Sequence, residues 1–225
     1  MLKARTFLHQ HSLEQAWAEI RAAGRVQGEL SWSALGRLLA DKLEEAAGLR
    51  APNGVDHRGI NVYASLKPLT PDDGLRGMAQ TKGVDLPAKL DKRKAAWLAA
   101  LDHLPAFTVK ITEERIGAER CAKCPDGRYN DWMAKGLTTK LACDLLGMGI
   151  SQFYDVALLG SDDEELAPAI EAVQDILDRK VIHVGFAGLG DVVRGVCWSH
   201  VLLDDVLEDL TCSVGADRYD LSTVS

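Results

Sequence analysis

Apolar positions along the chain follow two periods in alternation, one of two residues and one near 3.6, and the switches between them mark out elements. ARTFLHQ (residues 4–10) reads as a short strand. Ser12 has the chemistry of an N-cap, and Leu13, Trp17 and Ile20 lay an apolar stripe along the helix that follows. A second helix is predicted from Ser31, with Leu35, Leu38, Leu39 and Leu43 at helical spacing and Gly48 as its stop. INVYASL (residues 60–66) is a strand closed by Pro68. KPLTPDDGLRGMAQTKGVDL (residues 67–86) is too rich in Pro, Gly and Asp for either period and reads as a long loop.

Beyond that loop, a helix rich in Lys, Ala and Leu (residues 87–104) leads to the strand FTVKITEERI (residues 107–116) and then to a Cys-x-x-Cys loop, CAKCPDGRYND. A helix (137–146), the strand YDVALLG (154–160), a helix (165–179) and the strand KVIHVGFAG (180–188) come next, and HVLLDDV (200–206) is the last strand candidate. Strands alternating with helices predict an α/β fold, a Rossmann-like domain with a central, mainly parallel sheet and helices on both faces. A single domain is expected over residues 1–213. The tail 214–225 lacks apolar periodicity and is expected to fray.

Composition fits this picture. With 225 residues, 47% hydrophobic and 26% charged, the chain suits one well-packed globular core. No apolar run reaches the roughly 20 residues of a membrane span, and the basic start lacks the apolar stretch of a secretion signal. A cytoplasmic location is therefore expected, and five cysteines at irregular spacing suit reduced thiols or metal ligands better than disulfides. Charge is segregated: residues 76–140 carry 13 Lys and Arg against 8 Asp and Glu, whereas residues 141–225 carry 4 against 16. A basic middle beside an acidic end suits a polyanion-binding lip next to a cation-binding centre, or simply solvated helix faces of different sign.

The densest chemistry lies in YDVALLGSDDEELAPAIEA. An apolar strand delivers Ser161, Asp162, Asp163, Glu164 and Glu165 to its carboxyl end, where open α/β sheets place their ligands. Four acids at a helix entry serve the helix dipole. They equally suit oxygen ligation of Mg²⁺ or Mn²⁺.

This segment resembles the NYN family of PIN-like ribonucleases, whose sequences run strand, Ser-Gly-Asp-Ser-Asp, Leu-Val-Pro-Ala-Ile-Glu-Ala. SDDEELAPAIEA aligns without a gap and places Asp163 and Glu165 on the family's two acids. AKGLTTKLACDLL (residues 134–146) looks like its Lys-Gly-Val-Asp helix entry, and FLHQHSL (residues 7–13) sits where it writes Phe-Ile-Asp-Gly-Glu-Asn-Leu. NVYASLKP, the lysine-rich helix and the Cys-x-x-Cys loop also have counterparts, so the likeness runs from about residue 4 to 210. It implies an RNA-binding domain in which clustered carboxylates hold divalent ions that activate water. Three positions depart: His9 stands for an Asp, Ser12 for the Asn and Thr138 for the Asp of the helix entry.

Losing two carboxylates weakens a Mg²⁺ site, since Mg²⁺ gains little from neutral imidazole. If His9 and His11 alternate on a strand they share a face, where with Asp163 and Glu165 they could hold Zn²⁺ or Mn²⁺. Alternatively His9 is a metal-free general base, or a packed strand histidine. The candidate catalytic set is thus Asp162, Asp163, Glu165 and His9. Cys121 and Cys124 have half the spacing of a structural zinc site and need ligands from elsewhere. Cys143, Cys197 and Cys212 read as small buried hydrophobes and Trp97 as core. Lys92, Arg93, Lys94, Lys123, Arg128 and Lys135 are the candidate RNA contacts, with Trp132 in a loop as a stacking platform.

Two functions are expected to compete: a ribonuclease with a weakened divalent-cation centre, or a silent domain that binds RNA or a protein partner, including a second copy of itself. A nucleotide-binding enzyme ranks behind both, since GFAGLGDV lacks a βαβ unit after it.

Overall fold

The computed structural model describes residues 1–41, 54–67, 89–120, 128–188 and 190–212. In chain order these form β1 (Leu2–His9), α1 (Gln10–Ala22), β2 (Glu29–Leu30), α2 (Trp32–Asp41), β3 (Val55–Leu66), α3 (Lys89–Asp102), β4 (Phe107–Glu113), β5 (Arg115–Arg120), β6 (Arg128–Met133), α4 (Leu137–Ile150) and β7 (Val156–Gly160). A 3₁₀ turn at Glu164–Leu166, α5 (Ala167–Asp175), β8 (Lys180–Gly185), α6 (Asp191–Val196), β9 (Ser199–Leu202), a second 3₁₀ turn at Asp204–Val206 and β10 (Thr211–Cys212) complete it.

Six strands make one sheet in the order β4-β3-β1-β7-β8-β9, and every neighbouring pair is parallel. This is the α/β fold expected from the alternation of elements. All five residues of β7, VALLG, are buried, as a central strand covered on both faces requires. Within β1 the two-residue period splits the core: Ala4 and Leu8 pack with Trp17, Leu35, Trp97 and Leu101, while Phe7 packs on the other face with Tyr63, Leu141, Tyr154 and Ile170. Those two clusters are the helix layers on either side of the sheet.

The chain leaves β1 in one direction to build β3 and β4, then returns to β1's other side to build β7, β8 and β9. The strand order therefore reverses between β1 and β7, whose pairing runs from Ala4 opposite Val156 to Leu8 opposite Gly160. Such a switch point leaves a crevice at the carboxyl ends of the two strands. Because α3 and α4 precede parallel strands, both begin at this same edge.

Several boundaries differ from the sequence reading. The first helix starts at Gln10, so His9 takes the N-cap position with no side-chain cap bond, and Ser12 and His11 lie inside the helix. His9 and His11 consequently do not alternate along a strand. The strand expected over 107–116 breaks at Glu114; its second half becomes β5, which pairs antiparallel with β6 from Arg115–Met133 to Arg120–Arg128. Trp132 thus belongs to a strand and not to a loop. A helix, α6, occupies the stretch after GFAGLG, and the last sheet strand ends at Leu202, with a 3₁₀ turn in place of its expected second half. The loop at 68–86, the Cys-x-x-Cys pair Cys121 and Cys124, Lys123 and the tail 214–225 lie outside the described residues. Among the described residues no helix is long and apolar enough to cross a membrane.

The small β2–β10 ladder joins Thr211 and Cys212 to the stretch after α1 and depends on one glycine. Gly28 has φ +144°, its carbonyl accepts the Trp17 indole N–H at 3.0 Å, and a Cβ there would lie 2.2 Å from the Cys212 carbonyl oxygen. Gly28→Ala is expected to destabilise the fold by about 1–3 kcal/mol, read by urea unfolding.

Candidate functional site at the carboxyl edge of the sheet

β1 delivers His9 and β7 delivers Ser161 to Glu165 to the switch-point crevice, where a chain of short polar contacts joins them. The Ser12 hydroxyl donates to Asp162 Oδ1 and lies 2.6 Å from His9 Nδ1. A serine has one proton to give. With that proton on Asp162, the His9–Ser12 contact requires an N–H on His9 Nδ1, which leaves Nε2 as the ring's lone pair. Ser12 is therefore not the helix cap that its residue type suggests; its hydroxyl is held by a carboxylate 150 residues away.

The neighbouring acid is tied down in the same manner. Thr138, in the first turn of α4, donates its hydroxyl to Asp163 Oδ2, while Asp163 Oδ1 accepts the Glu165 backbone N–H at 3.1 Å. Ser161 Oγ accepts the Asp163 N–H at 3.2 Å. Asp163 is therefore both the cap of the 3₁₀ turn and an anchor for α4. Glu165 itself is exposed.

Beneath the turn lies His183, 2% exposed, with Nε2 3.2 Å from the Ser161 carbonyl oxygen. Since a carbonyl only accepts, Nε2 carries the proton. Nδ1 is buried with no hydrogen-bond partner among the described residues. Burial pushes the His183 pKa down to about 4, against the upward pull of the Ser161 contact. His9 is also lowered by burial; Asp163 opposes this, His11 adds to it, and Asp162 opposes it more weakly. Near neutral pH His9 is an uncharged imidazole beside two carboxylates.

On the α4 side the site opens into a cleft of 340 Å³ lined by His9, His11, Ser65, Glu114, Lys135 and Leu137 among others. The His9 and His11 rings meet edge to face with centroids 6.5 Å apart. Ser65 donates to Glu114 at 2.7 Å, and on the helix layer behind, the Tyr63 hydroxyl donates to Asp144 Oδ2 at 2.8 Å with Lys110 3.5 Å away. Burial, followed by the Asp144 contact, pushes the Tyr63 phenol well above its ordinary range, so it remains a donor. A cavity of 350 Å³ at the amino ends of β3 and β4, among His57, Ile60 and Phe107, touches none of these groups.

The four residues expected to share a metal do not gather. Among the described residues no three His, Cys, Asp or Glu side chains are grouped as ligands would be. Asp162 and Asp163 already accept hydroxyl hydrogen bonds, His11 stands on the helix, and Glu165 points to solvent, so this set does not fit a divalent cation. Of the expected RNA contacts, Lys92 and Arg93 are exposed and Lys94 half-buried near the start of α3, and Lys135 is exposed just before α4. All four therefore lie at the carboxyl edge. Arg128 opens β6, and its side chain, like that of Trp132, is outside the described residues.

Trp97 is fully buried against Trp32, as its setting among Ala and Leu implied. Cys143 is exposed, contrary to expectation, because it falls off the Leu137, Leu141, Leu145 stripe. Cys197 is half-buried and its thiol is pushed up to about 12 by burial. Ser65, Glu114 and His183 were not singled out from the sequence. Only the position of His183 in an apolar strand, VIHVGF, marked it as a buried polar group.

The geometry sets opposite outcomes for two changes at Asp163. Asp163→Ala removes the cap and the Thr138 acceptor together and should destabilise by about 0.5–2 kcal/mol. Asp163→Asn can cap Glu165 with its oxygen and donate its amide to the Thr138 hydroxyl, so urea unfolding should find it near wild type.

No protein-family model matches the chain, and no curated protein matches it. A crystal structure of a protein of unknown function from Vibrio parahaemolyticus RIMD 2210633 is similar at 13% identity and a TM-score of 0.47, over 94% of this chain and 96% of that one.

Proposed function

We propose that this chain is an RNA-binding domain of the NYN, PIN-like kind in which hydroxyl groups have replaced the cation of the acidic centre. One observation carries the reading. Ser12 and Thr138, at two of the positions where the resemblance expects the family's Asn and Asp, donate to Asp162 and Asp163. Hydroxyl donors stabilise clustered carboxylates without a metal, and the turn keeps its shape. Metal-dependent hydrolysis, expected from the resemblance, has no grouped ligand set behind it among the described residues.

The partner follows from charge and placement. Lys135 lines the cleft, Lys92 and Arg93 stand near the start of α3 at the same edge of the sheet, and a phosphate backbone laid along this edge would bring a nucleotide to His9. The cleft offers hydrogen-bonding groups of both kinds and is wide enough for an unstacked nucleotide, which is how single-stranded RNA is read.

Charge reversal at the edge tests this. In fluorescence anisotropy with a labelled single-stranded 12-mer RNA, Lys92→Glu combined with Lys135→Glu should weaken binding and flatten the salt dependence, by about 0.7 in log–log slope for each phosphate no longer neutralised. An affinity and slope identical to wild type would remove this edge as the RNA surface.

A further inference from the structure

We infer that the His9–His11 cleft cleaves RNA without a metal, by transferring the phosphoryl group onto the neighbouring 2′-hydroxyl, with His9 as general base and His11 as general acid. This deepens the reading of the site as an RNA-binding surface and rests on it. Three observations support it.

His9 is built as a proton acceptor. Its Nδ1 proton is fixed toward Ser12, whose own proton goes to Asp162, so the tautomer that leaves Nε2 basic is selected by the fold. When Nε2 takes a proton, the positive charge lies beside Asp162 and Asp163. Ser12 and Asp162 are positioning residues here. The second imidazole, His11, lines the same cleft, edge to face with His9 at 6.5 Å between ring centroids, so one phosphate seated in the cleft is within reach of both rings. Finally, Lys135 lines the cleft and supplies a cation for the non-bridging oxygens.

The step balances without a co-reactant. His9 Nε2 takes the 2′-hydroxyl proton as the O2′–P bond forms, the P–O5′ bond breaks, and the His11 imidazolium protonates the departing O5′. The products are a 2′,3′-cyclic phosphate and a 5′-hydroxyl end; proton exchange with water then resets both rings. An RNA 2′-hydroxyl is the nucleophile, so DNA is not a substrate.

The test uses the full chain with end-labelled single-stranded RNA in excess EDTA, with binding followed in parallel by anisotropy. Cleavage to cyclic phosphate ends is expected, with His9→Asn and His11→Gln each losing about 10²–10⁴-fold in rate at saturating RNA. Asparagine keeps a donor toward Ser12 and lacks only the ring's outer nitrogen. A single 2′-deoxy substitution should abolish cleavage at that linkage alone. RNA that binds wild type but stays intact in EDTA, or that is cut only with added metal, overturns the inference and leaves the binding reading standing. RNA that does not bind overturns both.

Discussion

Thr138→Asp is expected to destabilise the protein strongly in chelator and to be rescued by Mn²⁺. The threonine hydroxyl donates to Asp163 Oδ2. An aspartate at that position would set a second carboxylate against the first. Two unit charges about 4 Å apart at an effective dielectric of 20 repel by about 4 kcal/mol, and partial protonation of the pair reduces the net loss to about 2–4 kcal/mol. A divalent cation bound between them would recover that loss by mass action, so the melting temperature should rise with Mn²⁺ in the variant and stay flat in wild type. A variant that melts with wild type in EDTA would mean that Thr138 and Asp163 do not face each other.

The second large effect is acid destabilisation through His183. Its folded pKa, about 4, lies below the ordinary histidine value of 6.5. The unfolded chain therefore takes up a proton first as pH falls, and stability that is intact above pH 6.5 is lost progressively toward pH 4. The full loss is on the order of 3 kcal/mol. His9 and His57 are lowered too and add smaller losses in the same direction. His183→Gln keeps a donor for the Ser161 carbonyl and cannot titrate, so urea midpoints from pH 7 to 4 should fall less steeply than in wild type. Parallel curves would show that His183 does not titrate as its burial demands.

How far the site is legible without the structure depends on the range of each interaction. VALLG and the five residues after it can be read locally: an unbroken apolar run marks a central parallel strand, and the acids that follow must emerge at its carboxyl end. Ser12 reads wrongly as a cap because its type favours caps, whereas the partner that decides its role, Asp162, is brought close only by the crossover. His11 reads as a strand residue because the helix-start signal in FLHQHSL is Ser12, three positions after the cap that the structure shows, and His9 at that cap makes no side-chain bond that a motif could reveal. The β5–β6 hairpin stays hidden for a related reason. FTVKITEERI continues its alternation through the break at Glu114, and the Pro-Asp-Gly of CAKCPDG reads as part of a Cys-x-x-Cys loop and not as the link of a hairpin.

The hydroxyl donors at Asp162 and Asp163 bear on affinity as well as on folding. If the centre needs no metal, chelation should leave the crevice and the proposed RNA surface unchanged. The decisive measurement is the affinity of the wild-type chain for a single-stranded 12-mer RNA, by anisotropy at fixed ionic strength, in EDTA and again in Mg²⁺ or Mn²⁺. Measurable binding with the same dissociation constant in all three buffers is expected. Binding that appears only with a divalent cation, or no binding in any buffer, would contradict an RNA site built on hydroxyl-held carboxylates.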